Sequence, residues 1–181
     1  MPELTVRVLD EQDWPTYREV RLAALQESPG VFGDSYDAEA AADVTYWRSQ
    51  LTAARRFVAE SNGSPCGVVS VGSFPQEPGS VELFELWVDP TARSTGVAGR
   101  LVDTAASLAA VAGATQMYYW AGTENGPAIG FATGFGFRIT SHRRPVTSGD
   151  HALGDTEIAL VLALEDDPHI VPNATADRLR R

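Results

Sequence analysis

One segment in the middle of the chain constrains the fold more than any other: a strand, a small-residue loop and a helix follow one another directly. Residues 81–88 (VELFELWV) predict a strand, which the turn pair Asp89-Pro90 ends. Residues 97–112 predict an amphipathic helix with one apolar stripe, formed by Val97, Leu101, Ala105, Leu108 and Ala112. Small residues at such a junction leave backbone N–H groups uncovered at the positive end of a helix dipole, and this geometry binds phosphate oxygens. The loop over residues 93–99 therefore predicts a diphosphate site.

Two other kinds of phosphate-binding loop match this segment less well. A nucleoside-triphosphatase loop requires a lysine after its last glycine, and Arg100 occupies that position. The chain has no lysine at all, since its 14 basic residues are all arginines, and this also excludes a Schiff-base lysine for a pyridoxal cofactor. A dinucleotide loop reads G-x-G-x-x-G near the start of a domain, whereas the spacing here is Gly96-x-x-Gly99 in mid-chain.

The loop resembles the phosphate-binding signature of the GNAT N-acetyltransferase superfamily. Residues 93–98 (R-x-x-G-x-A) match the R/Q-x-x-G-x-G/A pattern, whose loop holds the pyrophosphate of acetyl-CoA in that family. Residues 125–131 (N-x-x-A-x-x-F), followed by Gly136-Phe137, are similar to the family's second signature. Residues 21–33 resemble the substrate-side helices of many bacterial members. The two signatures occur in the family's order, and the resemblance covers residues 4–164.

The resemblance implies acetyl-CoA as co-substrate and assigns residues to it. In the family, the pantetheine arm pairs with the backbone at the end of the strand before the loop, and the Val88 N–H would polarise the thioester oxygen. Asn125 would contact the amide arm of the cofactor. The implied cofactor-binding residues are Leu86, Trp87, Val88, Arg93, Ser94, Thr95, Gly96, Val97, Ala98, Gly99, Asn125 and Phe131.

Two glutamates on the predicted central strand are candidates for the base that accepts the ammonium proton. Family members that acetylate histones place their base at the position matching Glu82, six residues before Val88. Simple alternation places Glu85 on the opposite face of the strand, unless a bulge resets the parity. Glu82 is preferred, although either acid can instead face solvent or pair with an arginine. With Val88, these two residues form the predicted catalytic set.

One position departs from the family pattern. Most members carry a tyrosine where this chain has Ala132, and that tyrosine protonates the departing thiolate. A CoA thiolate can leave unassisted at neutral pH because thiols are fairly acidic. Tyr118 and Tyr119, on the neighbouring predicted strand, are possible substitutes, and packing is the competing interpretation for both. The identity of the general acid stays open.

Other aromatic and histidine residues give weaker signals. Phe32, Trp47 and Trp87 are candidates for the wall of an acceptor pocket, but large aromatic side chains usually lie in the core. The three histidines, at positions 142, 151 and 169, show no metal-ligand spacing, so no metal is expected.

The composition limits the function classes. A formal net charge of −10 without a basic stripe argues against nucleic acid and favours cationic amine partners. The single cysteine cannot form an internal disulfide, and neither a signal peptide nor a membrane-spanning run is apparent, so a cytoplasmic location is expected. Abundant alanine and arginine without lysine are typical of a GC-rich bacterial source. The length fits one domain over residues 1–165, with a flexible tail at 166–181.

The order of the predicted elements indicates the fold class. Strands come first and then alternate with helices, which predicts an α/β (α+β) fold with a mixed, mostly antiparallel sheet of about seven strands and helices on both faces. Asp13 is expected to cap the first helix, and Asn62-Gly63 to turn a hairpin.

Two classes of function follow. The first is an acetyl-CoA-dependent N-acetyltransferase that acts on a primary amine of a small molecule, peptide or protein by direct attack in a ternary complex. The second is a non-catalytic acyl-CoA-binding or sensing module, and a partner-binding domain with a vestigial loop is a further alternative. A homodimer is possible.

Overall fold

Strands and helices form in the order that the sequence predicts, over the residues that the structure, a computed structural model, describes: 3–29, 36–146 and 155–164. The described strands are β1 Leu4–Val8, β2 Arg55–Ser61, β3 Ser64–Ser73, β4 Ser80–Val88, β5 Gln116–Gly122, β6 Arg138–Pro145 and β7 Thr156–Ala163. The described helices are α1 Trp14–Glu27, α2 Tyr36–Ala40, α3 Val44–Ala53, α4 Val97–Val111 and α5 Gly126–Phe135. The proposed tail at 166–181 lies outside the described residues.

The strands form one sheet in the order β1-β2-β3-β4-β5-β7-β6. Every neighbouring pair is antiparallel except β4 and β5, which are parallel. This confirms the predicted mixed, mostly antiparallel sheet. The β4–β5 ladder has only four residue pairs, from Ser80↔Gln116 to Leu83↔Tyr119. Both strands continue beyond these pairs without bonding to each other, so the sheet opens at its centre.

Helices cover the two faces of the sheet unequally. The apolar stripe of α4 packs on one face, the α4 face, where Leu101 and Ala105 are fully buried against β2, β3 and β4. Helices α1 and α3 cover the other face, the α1 face, over β2 and β3. Further along the α1 face, the apolar cluster on β5 and β7 is Phe74, Tyr118 and Ala159 with Trp120 and Val161, and within the described residues it contains no helical side chain. The α1 face is therefore open beside the gap in the sheet.

Local signals fix most element boundaries, with one correction. Asn62 and Gly63 have φ angles of 49° and 80°, as a two-residue hairpin turn requires. Asp13 occupies the N-cap position of α1, as predicted, but its side chain makes no capping bond: it accepts from the Asp10 backbone N–H at 2.9 Å and from Arg7 at 2.8 Å. Donors from the preceding short 3-10 turn and from β1 therefore occupy both carboxylate oxygens of Asp13. Within the described chain, no helix combines the length and apolarity needed to cross a bilayer.

Candidate active site

A cleft of about 610 Å³ lies where β4 and β5 separate. Strand β4 lines one wall and β5 the other, while the start of α5 and the ends of β6 and β7 form the mouth. Both candidate bases, Glu82 and Glu85, line this cleft, as do Tyr119 and Asn125. The gap between the two parallel strands thus gathers residues that the sequence analysis selected separately.

The backbone of Val88 points toward the open side of β4. Val88 is paired with Gly67 on β3, and the next pair is hydrogen-bonded, since the Asp89 N–H donates to the Cys66 carbonyl at 2.9 Å. Hydrogen-bonded and non-hydrogen-bonded pairs alternate in an antiparallel ladder. The N–H and carbonyl of Val88 are therefore directed away from β3, and β5 does not pair with them. A backbone donor at this edge is available to a bound ligand.

The loop before α4 presents unpaired amides at the positive end of a helix of 15 residues. Gly96 is the N-cap with φ 90°, and Ser94 also has a positive φ, 63°. Among the described residues, no protein group accepts a hydrogen bond from the backbone N–H groups of residues 94–99. A Cβ at Gly96 would have nothing within 4 Å, so the space in front of the loop is open. The loop has the chemistry of an anion site.

The Arg93 side chain joins this loop to α1 and β4. Its Nε donates to the Val88 carbonyl at 3.0 Å and its Nη2 to Glu27 at 2.8 Å. The same Glu27 oxygen accepts from Trp87 Nε1 at 3.0 Å. Hydrogen bonds from Ser28, Trp87 and Arg93 lower the pKa of Glu27 to about 2. Arg93 therefore positions the end of β4 as well as supplying positive charge near the loop.

A β-bulge places Glu85 on the same face as Glu82. Val69 of β3 lies opposite two residues of β4, Glu85 and Leu86, and Glu85 has φ 54°. As a result Glu85 and its neighbour Phe84 both point to the α1 face, where the Arg56 guanidinium contacts each of them. The prediction from simple alternation, which placed Glu85 on the face opposite Glu82, is therefore wrong. The exception stated with that prediction, a bulge that resets the parity, occurs here.

The Glu85 carboxylate is held in a buried ion network. It accepts from Arg56, from Ser70 at 2.9 Å and from Tyr17 at 3.3 Å, and Arg21 lies 3.4 Å away. Burial raises the pKa of Tyr17, which keeps the phenol a donor. Arg21 is in turn bound by both oxygens of Glu39, at 2.9 and 3.1 Å. These contacts hold the Glu85 carboxylate in place at the bulge, and its role as a base stays a prediction.

Loss of Arg56 is expected to lower stability severely. The guanidinium is 3% exposed and bonds to Glu85, Ser70 and the Gln50 carbonyl. Arg56→Met leaves the Glu85 carboxylate short of a partner, so we expect the free energy of unfolding to fall by about 3–5 kcal/mol in urea denaturation. The matched control is Arg7→Met, which breaks exposed ion pairs with Asp13 and Glu60 and should cost about 0–1 kcal/mol. Equal losses in the two variants would contradict this account.

Glu82 has a different environment. Its side chain is 23% exposed, and its nearest cation, Arg144, lies 3.7 Å away and is shared with Glu157. Burial raises the pKa of Glu82; Arg144 opposes that shift and Glu157 adds to it. A carboxylate with a raised pKa, one weak ion pair and an opening to the cleft is suited to accept a proton.

The remaining predicted residues have mixed placements. Asn125 caps α5, with its side-chain oxygen accepting from the Ala128 N–H at 3.2 Å, and its amide nitrogen stays available at the cleft. Phe131 packs against Phe135 inside α5, with 6.2 Å between ring centroids. Ala132 is 1% exposed in the core. These placements leave the role of Phe131 in cofactor binding a prediction.

The two tyrosines of β5 separate onto opposite faces. Tyr118 stacks on Phe74 with 4.4 Å between centroids, so packing accounts for it. Tyr119 lines the cleft beside Phe137, and burial raises its pKa, which keeps its proton in place.

The aromatic wall proposed for an acceptor pocket does not form from Trp47 and Trp87. Both are core residues, 1% and 5% exposed, under α1 and α3. Phe32, His151 and His169 lie outside the described residues, and His142 packs near Tyr118. Trp120, which the sequence analysis did not select, is the tryptophan that lines the cleft.

Comparison with known proteins agrees with this geometry. The sequence model of the Acetyltransferase (GNAT) family matches residues 13–137, which include β4, the loop, α4 and α5. The chain belongs to this family. An uncharacterized N-acetyltransferase from Methanocaldococcus jannaschii is 34% identical over 85 residues, a match that spans 45% of this chain and 38% of that protein.

Solved structures share the fold of this GNAT chain. An N-acetyltransferase from Staphylococcus aureus Mu50 has a TM-score of 0.69 at 20% identity, covering 90% of this chain and 99% of the other. A putative acetyltransferase from Salmonella typhimurium, solved with its cofactor acetyl-CoA, has a TM-score of 0.67 at 22% identity, covering 94% and 98%. At these identities the likeness establishes the common architecture.

Several residues that shape the site escaped the sequence analysis. Arg56, Ser70, Arg144 and Glu157 come from strands that carry no signature, and only pairing between distant segments brings them to the cleft. One indirect signal was the position of Arg56, the second residue of β2, directly before the apolar run Phe57-Val58-Ala59. Arg21 lies in a segment that was noted for its resemblance, but its ion pairs were not foreseen.

Proposed function

We propose that this GNAT protein is an acetyl-CoA-dependent N-acetyltransferase that transfers the acetyl group to a primary amine by direct attack in a ternary complex. The observation that carries the proposal is that two groups of backbone N–H donors have no acceptor among the described residues. These are the amides of residues 94–99 and the N–H of Val88. The first set suits a diphosphate and the second a thioester oxygen.

The residues present fit acetyl-CoA as a substrate. Gly96 leaves room in front of the loop for the diphosphate, and Arg93 holds the adjoining end of β4. The edge of β4 over Leu86, Trp87 and Val88 accepts an extended amide chain as an added half-strand. The Asn125 side-chain amide lies across the cleft from that edge and is positioned to bond to the same chain.

The chemistry requires one proton acceptor. The amine nitrogen attacks the thioester carbonyl carbon, a C–N bond forms, the C–S bond breaks, and the nitrogen releases a proton through water to Glu82, six residues from Val88 along β4. The Val88 N–H stabilises the negative charge on the carbonyl oxygen during attack. The sulfur leaves as a thiolate and takes its proton from solvent, because Ala132 cannot supply one.

A sensing module is the second candidate, and Ala132 is the observation that favours it. Calorimetry with acetyl-CoA separates both candidates from a vestigial loop, since each predicts micromolar binding and a vestigial loop predicts none. Release of free CoA thiol in the presence of an amine panel then separates the enzyme from the sensor. Binding without release under any amine would support the sensor and overturn the proposed reaction.

A homodimer, a cytoplasmic location and a bacterial source remain predictions from the sequence. The same holds for the expectation of no metal and for the single domain over residues 1–165.

A further inference from the structure

A guanidinium already occupies an aromatic and acidic cage at the mouth of the cleft. The Arg144 guanidinium lies 4.3 Å from the centroid of the Trp120 ring. Its Nε donates to Glu157 at 2.6 Å, and its Nη2 lies 3.7 Å from Glu82. An aromatic face combined with carboxylates is the chemistry by which proteins bind organic cations.

The cage belongs to the open part of the α1 face. Tyr118 and Trp120 of β5, Glu157 of β7 and Glu82 of β4 are on this face by strand register. Arg144 reaches the cage from β6, the edge strand of the sheet, and its side chain is 45% exposed. Exposed ion pairs contribute about 0–1 kcal/mol. A ligand cation can therefore displace Arg144 from the cage at small cost.

The charge around the cleft opposes an anionic acceptor. Among the described residues, five carboxylates line it, from Glu82, Glu85, Glu124, Asp155 and Glu157, against one lining cation, Arg144. The positive charges of Arg21 and Arg56 offset the negative charge of Glu85. The other acids leave the mouth negative, and a carboxylate on the acceptor would be repelled at close range.

We propose that the acceptor is an aliphatic amine with a second positive charge, and this inference rests on the proposed function. The second cation binds between the Trp120 ring and Glu157, where the Arg144 guanidinium lies in the structure. The reacting nitrogen then meets Glu82 and the thioester carbonyl. Glu157 and Glu82 contact two different nitrogens of one guanidinium, Nε and Nη2, so a molecule with two nitrogens a few bonds apart spans both acids.

Three amines of equal length test the proposal: 1,4-diaminobutane, pentylamine and 5-aminopentanoate, which end in an ammonium, a methyl group and a carboxylate. CoA thiol release at saturating acetyl-CoA gives kcat/KM for each. We expect the diamine to exceed pentylamine by about tenfold, since a partly desolvated cation–aromatic contact with a carboxylate is worth this factor. The carboxylate amine should be the poorest acceptor.

Two variants separate the cage from the general charge of the cleft. Glu157→Gln is expected to bring the diamine-to-pentylamine ratio close to one. Glu124→Gln removes the same charge from a lining residue outside the Arg144 contacts and should keep most of the ratio. A ratio that survives in Glu157→Gln would overturn the proposed cage.

Failure of the acceptor proposal can be distinguished from failure of the proposed function. Turnover that favours pentylamine, or no turnover of the diamine, overturns the proposal of a cationic acceptor. Binding of acetyl-CoA would in that case still support the proposed function. Preference for 5-aminopentanoate overturns it and assigns Arg144 to a substrate carboxylate. Absence of acetyl-CoA binding in calorimetry overturns the proposed function itself.

Discussion

Glu82→Gln is expected to reduce kcat/KM for amine acetylation by about a hundredfold near neutral pH, a typical loss for a general base. The amide keeps the size and polarity of the side chain but cannot take a proton from the nitrogen. Calorimetry should show unchanged affinity for acetyl-CoA, because Glu82 is not among the residues that hold the diphosphate or the thioester oxygen. The matched control is Glu124→Gln, another lining acid.

The pH dependence of kcat/KM provides a second test of Glu82 as the base. Burial raises the pKa of Glu82, so a larger fraction of the carboxyl is protonated at a given pH, and base function is lost as pH falls through that raised value. The wild-type kcat/KM should therefore have an acid limb above the usual range of glutamic acid. In Glu82→Gln that limb should disappear and only free amine should react. The deficit is then largest above the Glu82 pKa, where the wild-type carboxylate is ionised, and it shrinks as pH falls through that value or rises far enough to deprotonate the amine. Identical wild-type and variant profiles would remove Glu82 from the mechanism.

Gly96→Asp is expected to weaken acetyl-CoA binding by about ten- to a hundredfold relative to Gly96→Asn. Both side chains have the same shape, and both residue types tolerate the left-handed backbone that φ 90° imposes. Only aspartate places a negative charge in front of the loop amides. Repulsion of a diphosphate at about 5 Å in a partly exposed site amounts to about 1–3 kcal/mol, which corresponds to the stated range.

Calorimetry at two salt concentrations measures this difference. Screening should narrow the gap between the two variants at high salt, because the loop is exposed. Equal binding by Gly96→Asp and Gly96→Asn would show that the diphosphate lies elsewhere. Thermal unfolding of both variants provides the check that neither backbone has changed.

The fold was predictable to the extent that local patterns determine it. The mostly apolar run in residues 81–88 and the stripe of α4 were sufficient to locate a central strand, a loop and a helix, since these signals depend on neighbours in sequence. The order of the predicted elements then indicated a mixed, mostly antiparallel sheet. Asp13 makes no side-chain cap because the backbone N–H of Asp10, three residues earlier, and the Arg7 guanidinium occupy its carboxylate, and pattern reasoning does not rank such neighbours.

The candidate site was predictable only in its backbone part. The loop amides follow from the small residues between strand and helix, whereas the role of Val88 was implied by the family resemblance. The bulge at Glu85 does not, because Val69, on another strand, has to be matched with two residues of β4 before the extra residue is apparent. The ion network around Glu85 could not be predicted for the same reason, because Arg21, Arg56 and Glu39 come from three separate elements. Long-range pairing therefore limits what the sequence alone reveals.

The fixed bulge has a practical consequence for engineering new acceptors. Tyr17 and Arg21 sit one helical turn apart on α1, and both hold the Glu85 carboxylate. Mutant libraries that randomise this helix to alter selectivity will lose foldable members whenever either residue changes. Diversity is better concentrated at the solvent-facing positions Pro15, Glu19 and Gln26, which leave the scaffold intact.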